Sequence, residues 1–208
     1  MKRSPLVPLE LRPVVDISPA TQQKLREAFQ ALLAEVTTEA DAEHIADTPS
    51  RVVKAYAELM SGVDYDPASV LKVGFKEAAY NELVSVVDID FVSLCMHHLL
   101  PFYGQAHFAY LPNKYIVGLS KIPRMVEILA RRPQIQERLT QQIVDVFQHV
   151  VKPRGCGVVV EAWHACAAIR GVRQPNVRMR TTALRGWFLQ KPHLKEEFLA
   201  TALHRNSL

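Results

Sequence analysis

Cysteine and histidine side chains form two short clusters that lie far apart along the chain. The first, Cys-Met-His-His, spans residues 95–98, and the second, His-Ala-Cys, spans residues 164–166. Thiolate sulfur and imidazole nitrogen together favour zinc, whereas magnesium and calcium prefer oxygen ligands. Cys95 and His98 can reach one ion from a tight turn, and the second cluster would complete the site. The pattern therefore predicts a Zn²⁺ site shared by two distant segments.

A site with three protein ligands would have the composition of a catalytic zinc centre. Three ligands leave one position for water, and zinc lowers the pKa of that water towards neutrality. His97 and His164, if they are not ligands, would stand beside the water as proton-transfer groups. Each cluster alone is better explained by a buried cysteine and a hydrogen-bonded core histidine. Cys156 follows a turn and has no histidine near it in sequence, so we interpret it as a core residue.

The composition narrows the classes of function. The chain has 208 residues, of which 49% are hydrophobic, so it can bury a core. Three cysteines do not form a disulfide framework, no apolar run approaches the ~20 residues of a membrane span, and the N-terminus lacks the apolar segment of a signal peptide. We therefore expect a cytoplasmic protein that does not contact membranes.

The positive charge is scattered rather than gathered in one stripe. The net charge is +4 and the sequence pI is about 9.0. Basic residues occur in pairs near predicted helix starts, where backbone N–H groups and the helix dipole favour anions. This arrangement suits a polyphosphate ligand better than nucleic acid, which we do not expect as a partner. Ordinary surface charge is the alternative for each pair. The candidate anion ligands are Arg51, Lys54, Ser120, Lys121, Arg124 and Arg170.

A glutamate near the start of another predicted helix could select a purine base. The carboxylate of Glu137, which follows Gln136, could accept hydrogen bonds from N1–H and the 2-amino group of guanine. Adenine offers no such pair of donors, so the wrong base would leave the carboxylate unpaired. The alternative is an exposed helix residue that contacts Gln141, and spacing alone does not decide between the two.

The elements that must position these residues predict an α+β protein. Residues 1–18 are predicted to form an extended arm. Helices are predicted at 19–36, 48–62, 120–132, 134–151 and 193–204, strands at 81–95, 156–171 and near 178–188, and a hairpin at 104–120. Because side chains alternate along a strand, His164 and Cys166 are expected to point the same way. Helices at the front followed by a sheet that carries a helical pair do not repeat the βαβ unit.

Several motifs together resemble the GTP cyclohydrolase I family. They are Cys-x-His-His at 95–98, Gly-Leu-Ser-Lys-Ile-x-Arg at 118–124, Arg-Pro-Gln-Ile-Gln-Glu-Arg-Leu-Thr at 132–140, and His-x-Cys at 164–166 with Arg-Gly at 170–171. Their order and spacing also match, and the similarity extends from about Asp47 to the C-terminal helix. The first and third motifs together are highly specific.

The resemblance implies a tunnelling fold, in which an antiparallel sheet carries a helical pair on one face and N-terminal helices precede it. Residues 1–62 would form the arm and helices, and residues 63–208 the catalytic domain. The family assembles as a homo-oligomer, a decamer, with sites between subunits, so Arg51 or Lys54 would serve a neighbour's pocket. The implied reaction converts GTP and water to 7,8-dihydroneopterin triphosphate and formate, at the start of pterin and folate-type biosynthesis.

The resemblance also implies a role for each candidate residue. By position, the ligands of Zn²⁺ are Cys95, His98 and Cys166, and the proton-transfer groups are His97 and His164. Glu137 holds guanine, with Gln136 beside it. Ribose and triphosphate are held by Ser120, Lys121, Arg124, Arg170, Arg51 and Lys54.

Some positions depart from the family pattern. Met96 stands where the family has Glu, Val87 replaces a polar or basic residue, Ala168 replaces a frequent Lys, and Arg178 and Arg180 lie in a segment usually rich in Ser and Thr. Two alternatives follow. The chain would be a paralogue that acts on a different purine nucleotide or stops at a partial reaction, or a non-catalytic zinc-binding homologue.

Overall fold

The computed structural model describes residues 15–71, 74–76 and 80–203. These residues divide into two compact units, with the boundary between Asp64 and Tyr65. Most of the predicted N-terminal arm, residues 1–14, lies outside the described residues. Among the described helices, none combines the length and the apolar character needed to cross a membrane.

The N-terminal unit is helical. It contains α1 (Pro19–Val36), α2 (Ala42–Ile45) and α3 (Thr48–Leu59), with a 3₁₀ turn at Glu39–Asp41. Ser18 caps α1, since its Oγ accepts a hydrogen bond from the backbone N–H of Thr21 at 3.3 Å. In α3, whose N-cap is Asp47, Pro49 lies in the first turn, where its missing N–H costs little. The predicted helix from 19 to 36 is confirmed.

The C-terminal unit contains all of the described strands. They are β1 (Gly74–Lys76), β2 (Val84–Cys95), β3 (Pro101–Leu111), β4 (Tyr115–Val117), β5 (Pro133–Gln134), β6 (Gly155–His164) and β7 (Met179–Gly186). The main sheet has the order β5-β2-β3-β6-β7, and every pairing in it is antiparallel except that of β2 with β5. The helices of this unit are α4 (Lys121–Ala130), α5 (Gln136–Val151), α6 (Ala165–Ala168), α7 (Trp187–Gln190) and α8 (Pro192–Leu203).

The core lies between one face of this sheet and the helical pair α4 and α5. Along β3, Phe108 and Tyr110 belong to this core, and the intervening Ala109 belongs to a second cluster with Phe188 and Phe198. Because successive side chains of a strand point to opposite faces, the helices α7 and α8 cover the other face. The predicted α+β fold, with a mostly antiparallel sheet and a helical pair on one face, is confirmed.

The predicted hairpin at 104–120 is wrong. Both edges of β3 are already occupied, by β2 on one side and β6 on the other. The strand β4 therefore has no free edge of β3 to join and pairs with β1, where Phe75 faces Ile116. A hydrogen bond still links β4 to β3, since the backbone N–H of Val117 donates to the Tyr110 hydroxyl at 2.9 Å.

Shortening Phe147 to alanine is expected to be among the most destabilising changes in the core. Its ring is fully buried in α5, with centroid distances of 4.7 Å to Phe108 and 4.9 Å to Tyr110. The cavity should lower the free energy of unfolding by about 3–5 kcal/mol, measured by urea denaturation at fixed protein concentration. Leu189→Ala, at a side chain that is 66% exposed, should cost less than about 0.5 kcal/mol. Equal costs for the two variants would contradict this account of the core.

Candidate active site

The first cysteine–histidine cluster, residues 95–98, lies in a tight turn where β2 ends. The backbone N–H of Leu99 donates to the carbonyl of Cys95 at 2.8 Å, and Leu99 adopts a left-handed conformation with φ of 52°. The backbone N–H of Met96 donates to the carbonyl of Gln134 at 2.9 Å, which anchors the turn to β5. The turn brings His98 back beside Cys95, and the predicted turn geometry is confirmed.

The second cluster does not continue a strand as predicted. The strand β6 ends at His164, and Cys166 lies in the short helix α6. The alternation expected for His164 and Cys166 therefore does not apply. Residues 165–168 include three alanines, which favour helix over strand. The two clusters meet at one end of the sheet because β3 pairs with β2 on one side and with β6 on the other.

Cys95, His98 and Cys166 are close enough to hold one metal ion. Their ligand atoms all lie within 4.8 Å of one another, and Cys95 Sγ is 3.7 Å from His98 Nδ1. Bonds of about 2.0–2.3 Å at tetrahedral angles would place ligand atoms about 3.3–3.8 Å apart, so a small adjustment completes the coordination. Cys95 is buried, Cys166 half-buried and His98 exposed, which leaves an open side for a fourth ligand.

The electrostatic environment of the two segments has opposite effects on a thiol and an imidazole. Burial, followed by the neighbouring Cys95 thiol, raises the pKa of Cys166. Desolvation, followed by the charges of Arg170 and His97, lowers the pKa of His98. At neutral pH, Cys166 therefore keeps its proton in the absence of a metal, whereas His98 is neutral and ready to ligate.

Metal uptake is expected to release protons and to become tighter as the pH rises. A cysteine must be a thiolate to ligate, and the raised pKa of Cys166 keeps it protonated at pH 7. Each displaced proton should strengthen binding by roughly tenfold per pH unit. Calorimetric titration of Zn²⁺ into metal-free protein, in buffers of different ionisation enthalpy between pH 6.5 and 8, measures the number released. A heat that does not depend on the buffer would contradict this prediction.

The two remaining histidines occupy different environments. His97 is exposed, and its Nδ1 lies 3.9 Å from Cys95 Sγ, so it stands at the solvent side of the cluster. His164 is half-buried, and its ring stacks on Phe102 with a centroid distance of 4.7 Å and an interplanar angle of 2°. Burial lowers the pKa of His164, and the nearby Glu137 carboxylate opposes this effect.

Gln136, expected to lie beside guanine, has a buried side chain. Only 1% of the residue is exposed, and its Oε1 lies 2.8 Å from His164 Nε2. The neighbouring Glu137 is exposed in the first turn of α5. The two residues therefore face different surroundings, Gln136 the interior and Glu137 the solvent.

Met96 lies against a cation. Arg138 approaches Met96 Sδ with Nη1 at 3.9 Å, while its Nε donates to Gln134 Oε1 at 2.8 Å and its Nη2 to the Pro133 carbonyl at 2.7 Å. A thioether is a weak acceptor and carries no charge, so this contact supplies no counter-charge to the guanidinium.

The candidate phosphate ligands lie in three places. Ser120 is the N-cap of α4, although its side chain makes no capping hydrogen bond, and Lys121 and Arg124 lie in the first turn. Arg170 follows α6 and acts electrostatically on His98. Arg51 and Lys54 are exposed on α3 of the N-terminal unit, where Arg51 pairs with Asp47 at 3.2 Å.

Sequence reasoning missed Phe102 altogether, and it named Gln136 without predicting that its side chain is buried. Phe102 supports the His164 ring, and an apolar residue at the start of a strand carries no signal of that role. The burial of Gln136 did leave a signal, because it precedes Leu139, Ile143 and Phe147 at helical spacing on the apolar stripe of α5. A glutamine on such a stripe must find hydrogen-bond partners inside the protein.

Comparison with known proteins assigns the chain to a family. A family model described as GTP cyclohydrolase I matches residues 25–203. The GTP cyclohydrolase 1 of Campylobacter jejuni is 47% identical over 179 residues, which cover 86% of this chain and 94% of that protein. The GTP cyclohydrolase 1 of Dehalococcoides mccartyi is 44% identical over 186 residues, which cover 88% of this chain and 98% of that protein.

A weaker likeness connects the chain to a solved structure, the apo form of the archaeosine synthase QueF-Like. The identity is 15% and the TM-score 0.41, with coverage of 53% of this chain and 97% of that chain. Neither the fold nor the function is inferred from this likeness. The family match includes both segments of the metal cluster and extends over most of the chain. The chain therefore belongs to the GTP cyclohydrolase I family.

Proposed function

We propose that this chain hydrolyses the guanine ring of GTP and forms 7,8-dihydroneopterin triphosphate and formate. The observation that carries the proposal is the cluster of Cys95, His98 and Cys166, whose ligand atoms lie within 4.8 Å of one another at a site with one open side. The proposal also agrees with the names of the relatives from Campylobacter jejuni and Dehalococcoides mccartyi. The reaction would stand at the start of a pterin or folate-type pathway in the cytoplasm.

Zinc is the ion that fits this set of donors. Two sulfurs and one imidazole nitrogen match zinc rather than a hard cation, and three protein ligands are typical of its catalytic sites. Cys95, His98 and Cys166 would hold this ion, and its chemistry there would be Lewis-acid activation of a water molecule. The buried Cys95 fixes one side of the site, and the exposed His98 leaves the substrate side accessible.

His97 and His164 are proposed to carry out two separate proton transfers. His97 is exposed beside Cys95, so it can deliver a proton to N7 of guanine and make C8 electrophilic. His164 has a lowered pKa and is therefore neutral at pH 7, which suits a group that accepts a proton. We assign it to the second proton transfer, in which it would take up a proton and pass it to the ribose oxygen, which gains a proton as the sugar ring opens and rearranges.

Glu137 is proposed to hold guanine. It lies in the first turn of α5, directly after Gln136, which contacts His164. Its carboxylate can accept from N1–H and from the 2-amino group, and this pair of bonds would align C8 with the metal. The buried Gln136 side chain would act on the substrate through His164.

The triphosphate is proposed to bind the cations near the two helix starts and after α6. Ser120, Lys121 and Arg124 offer a helix N-terminus with two positive side chains, and Arg170 adds a charge beside the metal cluster. Arg51 and Lys54 would complete a pocket of a neighbouring copy in a homodecamer. These two residues belong to the N-terminal unit, and the metal ligands belong to the C-terminal unit.

A single assay tests the function. The zinc-loaded protein is incubated with GTP, and pterin absorbance and fluorescence are followed after oxidation. A pterin signal is the expected result. Formate release without a pterin would favour a partial reaction, turnover of another purine nucleotide alone would favour a paralogue with altered substrate, and bound zinc without any turnover would favour a non-catalytic homologue. Met96 and the arginines at 178 and 180 make this comparison informative.

A further inference from the structure

We infer that Gln136 is a positioning residue, which orients His164 and makes its Nε2 the protonated ring nitrogen. This inference rests on the proposed role of His164 in the reaction. The contact is short, with 2.8 Å between Gln136 Oε1 and His164 Nε2, and Gln136 is only 1% exposed. Water therefore does not compete for this hydrogen bond.

The orientation of the Gln136 amide follows from its other contacts. Its Nε2 lies 3.0 Å from the Val160 carbonyl, 3.0 Å from the Met179 carbonyl and 3.1 Å from Thr181 Oγ1. Carbonyl oxygens accept hydrogen bonds and never donate them, so only the NH₂ group of the amide can face them. A rotated amide would place its oxygen against two carbonyl oxygens. The Oε1 atom must therefore face His164.

The tautomer of His164 follows from this orientation. An amide oxygen only accepts, so His164 Nε2 must carry a hydrogen and donate it to Gln136. In a neutral imidazole, Nδ1 is then the nitrogen with the free lone pair. The parallel stack on Phe102 fixes the plane of the ring, so the lone pair also has a fixed direction. Gln136 thus presents Nδ1 of His164 as the proton acceptor.

A closed chain of hydrogen bonds keeps the amide in place. Thr140 Oγ1 donates to the backbone carbonyl of Gln136 at 2.7 Å, and the same hydroxyl oxygen lies 2.6 Å from Thr181 Oγ1. Because the Thr140 hydroxyl hydrogen already points to this backbone carbonyl, the Thr181 hydroxyl must donate to Thr140 Oγ1. Thr181 Oγ1 in turn accepts a hydrogen bond from Gln136 Nε2. Each hydroxyl hydrogen in this ring has one acceptor, and the buried glutamine is locked at both ends. Such a network restrains His164 more strongly than one isolated contact.

A double-mutant cycle tests the inference. The variants Gln136→Met and His164→Ala, alone and combined, are assayed with GTP at matched zinc content. We expect Gln136→Met to lower kcat by about 10²-fold with KM within about twofold, and His164→Ala to lower kcat at least as far. If Gln136 acts only through His164, adding Gln136→Met to the His164→Ala variant should not lower kcat any further.

Two controls separate positioning from loss of structure. Gln148 is a half-buried glutamine of the same helix, and its Nε2 donates to the Pro153 carbonyl at 3.3 Å, far along α5 from His164, so Gln148→Met should keep kcat within about threefold. Gln136→Glu keeps an oxygen towards His164 and, with its other oxygen protonated, one donor towards the carbonyls. Its kcat should be at least about tenfold higher than that of Gln136→Met. If Gln136→Met does not fold, Gln136→Glu is the variant that tests the positioning role.

The outcomes are distinguishable. If Gln136→Met lowered kcat by the same factor in the unmodified protein and in the His164→Ala variant, the inference would be overturned, since a purely structural role does not depend on the histidine. An impaired His164→Ala beside a fully active Gln136→Met would overturn it as well, while leaving the proposed function intact. A fully active His164→Ala would remove His164 from the reaction and the inference with it, and a wild-type protein without turnover of GTP would overturn the proposed function first.

Discussion

The variant Cys166→Ala is expected to lose its bound metal and, with it, the opening of the GTP ring. In the proposed site, Cys166 is the ligand from the second segment, and Cys95 and His98 alone would bind zinc weakly. Loss of the ion removes the activation of water, so the rate should fall by more than about 10⁴-fold. Metal content by elemental analysis and pterin fluorescence after oxidation measure the two effects on the same sample.

Cys156→Ala is the matched control for this experiment. Cys156 is fully buried, its Sγ contacts the Val144 carbonyl at 3.8 Å and Gln148 at 3.7 Å, and burial raises its pKa to about 12. This thiol packs in the core, so the control should keep metal and activity and cost about 1–2 kcal/mol of stability. Equal loss of metal in both variants would show that the assignment of ligands is wrong.

The second large effect is expected at Glu137. Glu137→Gln replaces two acceptors with one acceptor and one donor, so the amide cannot accept from both N1–H and the 2-amino group. The loss of a charge-assisted bond should cost about 3 kcal/mol, or roughly 10²-fold in kcat/KM for GTP. The preference for GTP over ITP, which lacks the 2-amino group, should fall by at least about tenfold.

Glu127→Gln provides the comparison for this variant. Glu127 lies on α4 and pairs with Arg131 at 3.2 Å, with 40% of its side chain exposed. An exposed ion pair is worth about 0–1 kcal/mol, so this change should leave the ratio of kcat/KM for GTP and ITP as in the unmodified protein. If Glu137→Gln also left that ratio unchanged, Glu137 would not be the residue that selects guanine.

Local patterns in the sequence predicted most of the elements. The 3.6-residue spacing of Leu25, Phe29 and Leu32 lies within α1, and the spacing of Cys95 and His98 matches the observed turn. Both features depend only on residues within one or two turns of each other. For the same reason the specific motifs around Glu137 led to the family before any tertiary contact was considered.

The predictions of strand pairing and strand length were wrong where these features depend on segments that are distant in sequence. The turn at 112–114 marks a change of direction, but only the pairing of β3 with both β2 and β6 shows that β4 must join another strand. The strand predicted at 156–171 is longer than β6, because the residues after His164 continue the apolar run of the strand even though their alanines favour a helix. The contact of Phe102 with His164 depends on register, which no local pattern encodes.

The strand β3 lies between the two segments of the proposed metal site, residues 95–98 and 164–166, and this position bears on the order in which the parts of the site form during folding. Cys95 and His98 are neighbours as soon as their turn forms, whereas Cys166 arrives only after β6 has paired with β3 across a long stretch of chain. Contacts of such high sequence separation form late, because the entropy of closing the intervening loop must be overcome first. A nascent chain therefore holds an incomplete chelate until its sheet is nearly finished. In the proposed site, tight metal retention would thus report that the sheet has closed, and the bound ion would stabilise the completed fold against reopening.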